Sequence, residues 1–162
     1  MKIIIMGVSG SGKSAVAGEL CKLLKYDFIE GDELHSEKNI KKMSAGVPLS
    51  DEDRIPWLEK INSVLIASSG NLILTCSALK KRYRDIILRN VKNSLLVYLD
   101  VDEIIAANRI EERKGHFFNS SLLSSQFDIL ELPEEAFWID ASLDVGVITK
   151  KIAEIVKKKQ GF

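Results

Sequence analysis

Short runs of consecutive apolar residues alternate along this chain with stretches whose apolar residues recur every three or four positions. Ile3–Met6 is the first run, and a Gly/Ser loop over Gly7–Gly12 follows it. Val16, Ala17, Leu20, Leu23 and Leu24 then stand at helical spacing. Phe28-Ile29 predicts a short second strand ending at Glu30-Gly31-Asp32. Leu58, Ile61 and Leu65, flanked by Trp57 and Val64, mark a longer helix. Ser50-x-x-Asp53 supplies capping chemistry near its start, and Gly70 sits where it would stop. Leu72–Thr75 and Leu95–Leu99 predict strands three and four, with Tyr83, Ile86, Ile87 and Asn90 on a helix between them. Ile104, Ala107 and Ile110 define the next helix, and Phe137–Ile139 the fifth strand. Val145, Ile148, Ile152 and Ile155 form one stripe of a closing helix, whose other side carries Lys150, Lys151, Lys157, Lys158 and Lys159 as a solvated face.

Strands that are apolar at every position, rather than at alternate ones, belong to a parallel sheet covered on both faces. The expected fold is therefore α/β: a three-layer α/β/α sandwich on a five-stranded parallel sheet. A length of 162 residues suits one domain spanning 1–162. Glu33–Asp51 and Lys114–Pro133 break the pattern. Both are polar, contain Gly or Pro and are long for connectors, as functional lids and binding elements tend to be.

Charge narrows the partners. Lys and Arg total 23, as do Asp and Glu, and this zero balance argues against a nucleic-acid partner, which calls for a basic surplus. No apolar run approaches the roughly 18–20 residues that span a bilayer, so no membrane is expected. Met1-Lys2 leads straight into a strand, without a signal peptide. Cys21 and Cys76 form no CxxC or Cys/His pattern and read as buried free thiols, with the cytoplasm as the default compartment.

The chemistry begins at Gly7-Val8-Ser9-Gly10-Ser11-Gly12-Lys13-Ser14, a full match to GxxxxGK followed by Ser or Thr, between a strand and a helix. Glycines let the backbone curl so that successive N–H groups face phosphate oxygens. The first helical turn, through Ala15, adds its positive end. Lys13 then reaches the β- and γ-phosphates of ATP, and the Ser14 hydroxyl ligates Mg²⁺. Strand three ends in Leu74-Thr-Cys-Ser77, without the usual second metal-site acid, and no NKxD occurs to read guanine. Asp32 is the candidate acid. It follows strand two beside Gly31, which permits close approach of a ligand, and strand ends on this side converge on the ligand crevice.

Further blocks make the pattern specific. They are Glu30-Gly-Asp-Glu-Leu-His35, Asn39-Ile-Lys-Lys-Met43 and Gly46-Val-Pro-Leu-Ser-Asp-Glu-Asp-Arg-Ile-Pro-Trp-Leu58. Cys76-Ser-Ala-Leu-Lys-Lys-Arg-Tyr-Arg-Asp85, Arg113-Lys-Gly-His-Phe-Phe118 and Ser125-Gln-Phe127 complete the set. With Met6–Ser14 they make the chain resemble the gluconokinases, a shikimate-kinase-like group of P-loop NTPases with the nucleoside-monophosphate-kinase fold and a mobile lid. The stretch from Pro133 to Phe137 is shorter than in that family.

The resemblance implies ATP-dependent phosphorylation of D-gluconate to 6-phospho-D-gluconate, a cytoplasmic homodimer, a substrate-binding insertion over about 33–57 and a lid over about 109–132. It also implies that Arg54 holds the substrate carboxylate, for which a planar guanidinium is suited. The alternative for Arg54 is a surface pair with Asp51 or Asp53. His35 either bonds a substrate hydroxyl or begins a helix, and Ser77 and Arg84 are placed in the acceptor pocket. Asp32 has two compatible roles, orienting Mg²⁺ or accepting the proton of the attacking hydroxyl. Arg109 and Arg113, four apart on one helix face, repel by roughly 0.2–0.5 kcal/mol and so suggest a nearby anion, the resemblance implying ATP under the lid; the alternative is a solvated face balanced by Glu111 and Glu112. Phe117, Phe118 and Phe127 would close the lid against water. Two rival functions remain, a kinase for another small hydroxy or sugar acid and a non-catalytic nucleotide-binding regulatory module.

Overall fold

The central strand explains why its neighbours assemble as they do. β1 (Lys2–Met6) is buried at every position. Ile3 and Ile5 point into one apolar cluster, and Ile4 and Met6 into another on the opposite face. An Ile side chain taken fully out of water contributes about 1.5–3 kcal/mol, so a strand with no polar face is stable only between two covering layers.

The computed structural model describes residues 1–113 and 120–161. Around β1 lie β2 (Asp27–Glu30), β3 (Leu72–Cys76), β4 (Ser94–Asp100) and β5 (Phe137–Asp140), all parallel, in the order β2-β3-β1-β4-β5. The register places Met6 beside both Cys76 and Tyr98, so β1 and β3 end at one level and β4 runs two residues further. α1 (Lys13–Leu24) and α7 (Val145–Gln160) pack together on the Ile3 face. α3 (Asp51–Ala67) and α4 (Lys81–Leu88) cover the Ile4 face. α5 (Glu103–Glu112) and α6 (Ser120–Ile129) complete the first layer beside the phosphate loop. The five-stranded α/β/α sandwich is the expected one.

Three local features differ from the sequence pattern. Each long polar connector contains a helix, α2 (Glu37–Ser44) in the first and α6 in the second. α2 has little apolar surface to bury, and polar contacts hold it. Ser36 caps it by accepting from the Asn39 N–H, and the Lys42 ammonium reaches Asp53 at 2.6 Å. In α5 the expected stripe is displaced. Ile104 is 72% exposed in the first turn, whereas Ala106 is fully buried, with its carbonyl against the phosphate loop. Asn90 lies beyond α4 in a left-handed turn, not on the helix.

Candidate active site

Between β1 and α1 the chain curls through three left-handed positions at Gly7, Gly10 and Gly12. Gly10 cannot be replaced without movement, because a Cβ there would stand 2.4 Å from the Ala106 carbonyl oxygen. Gly12 ends the curl as the N-cap of α1 and has no capping side chain, so the first N–H groups of the helix stay available to an anion. The Lys13 ammonium is half-buried and bonds the Gly7 and Val8 carbonyls at 2.9 and 2.8 Å. Burial lowers its pKa, an effect that nearby Asp32 opposes. The Ser11 hydroxyl is the one fully buried side-chain polar atom without a partner among the described residues. Ser9, Gly10, Gly12, Lys13 and Ser14 line a cavity of about 310 Å³, a volume fit for a small ligand. Gly7, Val8 and Ser11 are buried behind this wall, and Ala15 is exposed in the first turn of α1.

The opposite wall starts at the end of β2. The Thr75 hydroxyl of β3 donates to the Glu30 carboxylate and accepts the Gly31 N–H at 3.3 Å. A Cβ on Gly31 would stand 2.0 Å from the Thr75 carbonyl oxygen. That glycine therefore admits the neighbouring strand, not a ligand as the sequence suggested. The chain then enters a short 3-10 turn over Gly31–Leu34, which presents Asp32 to the cavity. Glu30 and Asp32 are thus adjacent acids near Lys13.

His35 closes this turn, and Ser36, not His35, is the cap of α2. The imidazole stacks on Trp57 with centroids 3.9 Å apart and an 18° interplanar angle. The Trp57 indole N–H is fixed in turn on the Gly31 carbonyl at 2.8 Å. Burial and the Arg54 charge push the His35 pKa down to about 4. Arg54, one turn before this Trp on α3, also lines the cavity. It takes neither Asp51 nor Asp53 as partner. Lys80 occupies Asp51 at 3.0 Å, while Lys42 and Lys38 occupy Asp53 at 2.6 and 3.4 Å. These cations and the Ser50 N–H hold the Asp53 carboxyl below the usual range, Lys42 most strongly. The expected Ser50–Asp53 capping box is present.

One sequence expectation is corrected outright. Arg84 does not line the cavity; it is 2% exposed, with its Nε on Glu135 at 2.7 Å. Its Nη1 bonds the carbonyls of Ala78, Leu79 and Glu131 at 3.0–3.3 Å. It ties the loop after β3 to the segment before β5, and its Nε and Nη1 donors are spent on protein. Ser77 does reach the cavity.

The arginine pair also separates. α5 ends at Glu112, and Arg113, its C-cap, faces the cavity. Arg109 turns away, donating to the Ala141 carbonyl at 2.6 Å and lying 3.5 Å from those of Gly10 and Ser11. It braces the outer side of the phosphate loop. Phe127 packs into the core beneath α6, and Phe117 and Phe118 lie outside the described residues.

Sequence reading missed Glu30, Trp57 and Gln126. Gln126 on α6 accepts the Ser9 N–H at 2.7 Å and donates to the Ser9 hydroxyl at 3.1 Å, a two-point clasp on the phosphate loop. Its only signal was membership of the Ser125-Gln-Phe127 block.

Comparison with known proteins agrees with this geometry. A family model described as an AAA domain matches residues 3–133. The chain is 42% identical to the thermosensitive gluconokinase of Escherichia coli over 160 residues, 94% of this chain and 86% of that protein. It is 39% identical to the thermoresistant gluconokinase of the same organism, covering 96% of this chain and 93% of that one. A crystal structure of a gluconokinase from Sinorhizobium meliloti superposes with a TM-score of 0.85 at 38% identity, over 99% of this chain and 97% of the other. A phosphate loop facing a polar wall, on this sheet order and in a chain this similar, is that of a nucleotide-using kinase, and the protein belongs to the gluconokinase family.

Proposed function

We propose that the protein transfers the γ-phosphoryl group of ATP to the 6-hydroxyl of D-gluconate, giving 6-phospho-D-gluconate and ADP. The observation that carries this reading is the shared cavity. Lys13 and Ser14 stand on one wall, and Asp32, His35 and Arg54 on the other. Arg54, without a carboxylate partner among the described residues, is free to fork onto an acid.

Each group has a definable task. The loop N–H groups and Lys13 orient the triphosphate, and Arg113 adds positive charge across the cavity. Arg54 anchors the substrate carboxylate, which leaves the far hydroxyl to face the γ-phosphate. The hydroxyl oxygen forms the new P–O bond while the bond to the β–γ bridging oxygen breaks, and Asp32 accepts the hydroxyl proton. The transition state is loose, so positioning and charge neutralisation outweigh base strength. The donor set fits Mg²⁺, a hard cation that keeps several waters and needs only one or two protein oxygens beside the phosphates. Ser14 and Asp32 supply those oxygens, and no cluster of three or more His, Cys, Asp or Glu that would cage a metal occurs among the described residues. The chemistry contributed by bound Mg²⁺ is neutralisation of phosphate charge.

In this reading residues 33–57 form the acceptor insertion and 109–132 the lid. The family resemblance further supports a homodimer working in the cytoplasm, which light scattering of the purified chain would check for assembly. An ADP-release assay across gluconate, other aldonates, shikimate and nucleoside monophosphates tests the reaction. Gluconate is expected to give the highest kcat/KM; a better acceptor would reassign the substrate, and no turnover with any would remove the enzyme reading.

A further inference from the structure

Asn39 and His35 are joined in a way that decides which imidazole nitrogen carries the proton. The side-chain nitrogen of Asn39 lies 2.9 Å from the Asp53 backbone carbonyl oxygen and 3.3 Å from His35 Nδ1. A carbonyl oxygen only accepts, so the amide must present its NH₂ there; the flipped amide would set two oxygens against each other in a buried place. Asn39 is 3% exposed, and its backbone N–H is held by the Ser36 cap, so the amide has little room to turn. The same NH₂ faces Nδ1, which is therefore the accepting, unprotonated nitrogen. In a neutral ring the proton then sits on Nε2.

The ring cannot easily escape this arrangement. Trp57 stacks on it, and the Trp57 indole is itself fixed on Gly31. Nε2 makes no hydrogen bond among the described residues, and His35 lines the cavity together with Asp32 and Arg54. The charged group that acts on the ring is Arg54 from α3, and Asp32 from the 3-10 turn lines the same cavity. The Asp53 carboxylate, which lies on the Asn39 side, is already taken by Lys38 and Lys42.

We propose that Asn39 is a positioning residue that locks His35 as an Nε2–H donor for an oxygen atom of the acceptor. His35 then selects a hydroxyl or carboxylate oxygen at that point and rejects an ammonium or N–H group. It is also barred from serving as the base, because Nε2 is already protonated and Nδ1 is capped. The deprotonating role stays with Asp32. This rests on the reading that the cavity holds a hydroxylated acid, but the lock itself is a property of the substrate-free protein and is tested there.

The experiment is ¹⁵N nuclear magnetic resonance of the two histidine rings in the substrate-free full-length chain near pH 7, with H35Q assigning the His35 signals. A single tautomer with Nε2 protonated is expected. A protonated Nδ1, or a mixture of tautomers, would overturn the lock whatever the protein phosphorylates. In N39D the carboxylate only accepts, so the ring proton should move to Nδ1 and the KM for gluconate should rise about tenfold with the KM for ATP unchanged. H35L should raise the gluconate KM about tenfold, and H35Q, which keeps an N–H donor near the place of Nε2, should raise it clearly less. A kcat loss of about 10² or more in H35Q at unchanged KM would make His35 a base and refute the proposal.

Discussion

The Arg54 guanidinium lies on the Tyr83 hydroxyl at 3.2 Å, and that hydroxyl donates onward to Asp51. Arg54 thus has a neutral partner that positions it without cancelling its charge, while Lys80 compensates the nearby acid. Arg54→Lys keeps the charge and loses the fork. The KM for gluconate should rise about tenfold, with that for ATP little changed. Steady-state kinetics with each substrate varied would check this, and an unchanged gluconate KM would move the carboxylate elsewhere.

Lys13 bonds two carbonyls of its own loop but sits on the cavity wall beside Asp32. Lys13→Ala should lower kcat by about 10²–10³, as loss of a preorganised transition-state donor does. Circular dichroism should show a folded protein. Near-normal turnover in that folded variant would take Lys13 out of the mechanism.

Asp32 stands at the end of β2, where β3 supplies Thr75 rather than an acid. If Asp32 only organised Mg²⁺, raising the metal concentration would rescue Asp32→Asn. We expect instead a kcat loss of about 10²–10⁴ that persists across a Mg²⁺ titration at saturating gluconate. Full recovery at high Mg²⁺ would leave a metal-positioning role alone.

Arg84→Ala strips the Ala78 and Glu131 carbonyls and Glu135 of this donor, while the Leu79 carbonyl keeps the Glu131 N–H at 2.8 Å. Unmet carbonyls cost about 1–3 kcal/mol each, partly relieved by water, so a loss of about 3 kcal/mol, roughly 6–12 °C in Tm, is expected. At a temperature where the variant stays folded, its gluconate KM should match wild type. A selective rise in that KM would return Arg84 to the acceptor site.

Protonation of His35 offers a stability test whose sign is determined. Its pKa falls from about 6.5 unfolded to about 4 folded, through burial first and Arg54 second. Between those values the unfolded chain binds the extra proton, so stability falls as pH falls from 6.5 towards 4. The full loss is on the order of 3 kcal/mol. Denaturant melts at several pH values should show it, and His35→Gln should flatten the profile. Asp53, held below the usual carboxylate range, contributes a separate loss below about pH 4.

The strands, the covering helices and the phosphate loop were legible in the chain because each depends on local rules. Ile3–Met6 has no polar position, so it lies between two layers whatever its neighbours are. Gly7–Ser14 specifies its own curl and the helix that follows it. Asp32, His35 and Arg54 were identifiable as candidates from their blocks. Their meeting was not, since it needs α3 held on the end of β2 by Trp57 on Gly31, and α2 held on α3 by Asn39 on Asp53. Arg84 shows the same limit from the other side. A buried arginine bonded to carbonyls and a ligand-binding arginine look alike in sequence, because the partners that distinguish them, Glu131 and Glu135, lie some fifty residues away. Gln126 on Ser9 crosses a still longer separation. Propensity and periodicity act over a few residues, so they determined the elements and the phosphate site. Which polar side chains face the cavity and which are consumed by the protein was decided by tertiary packing alone, because a buried donor bonds whatever acceptor the fold brings to it.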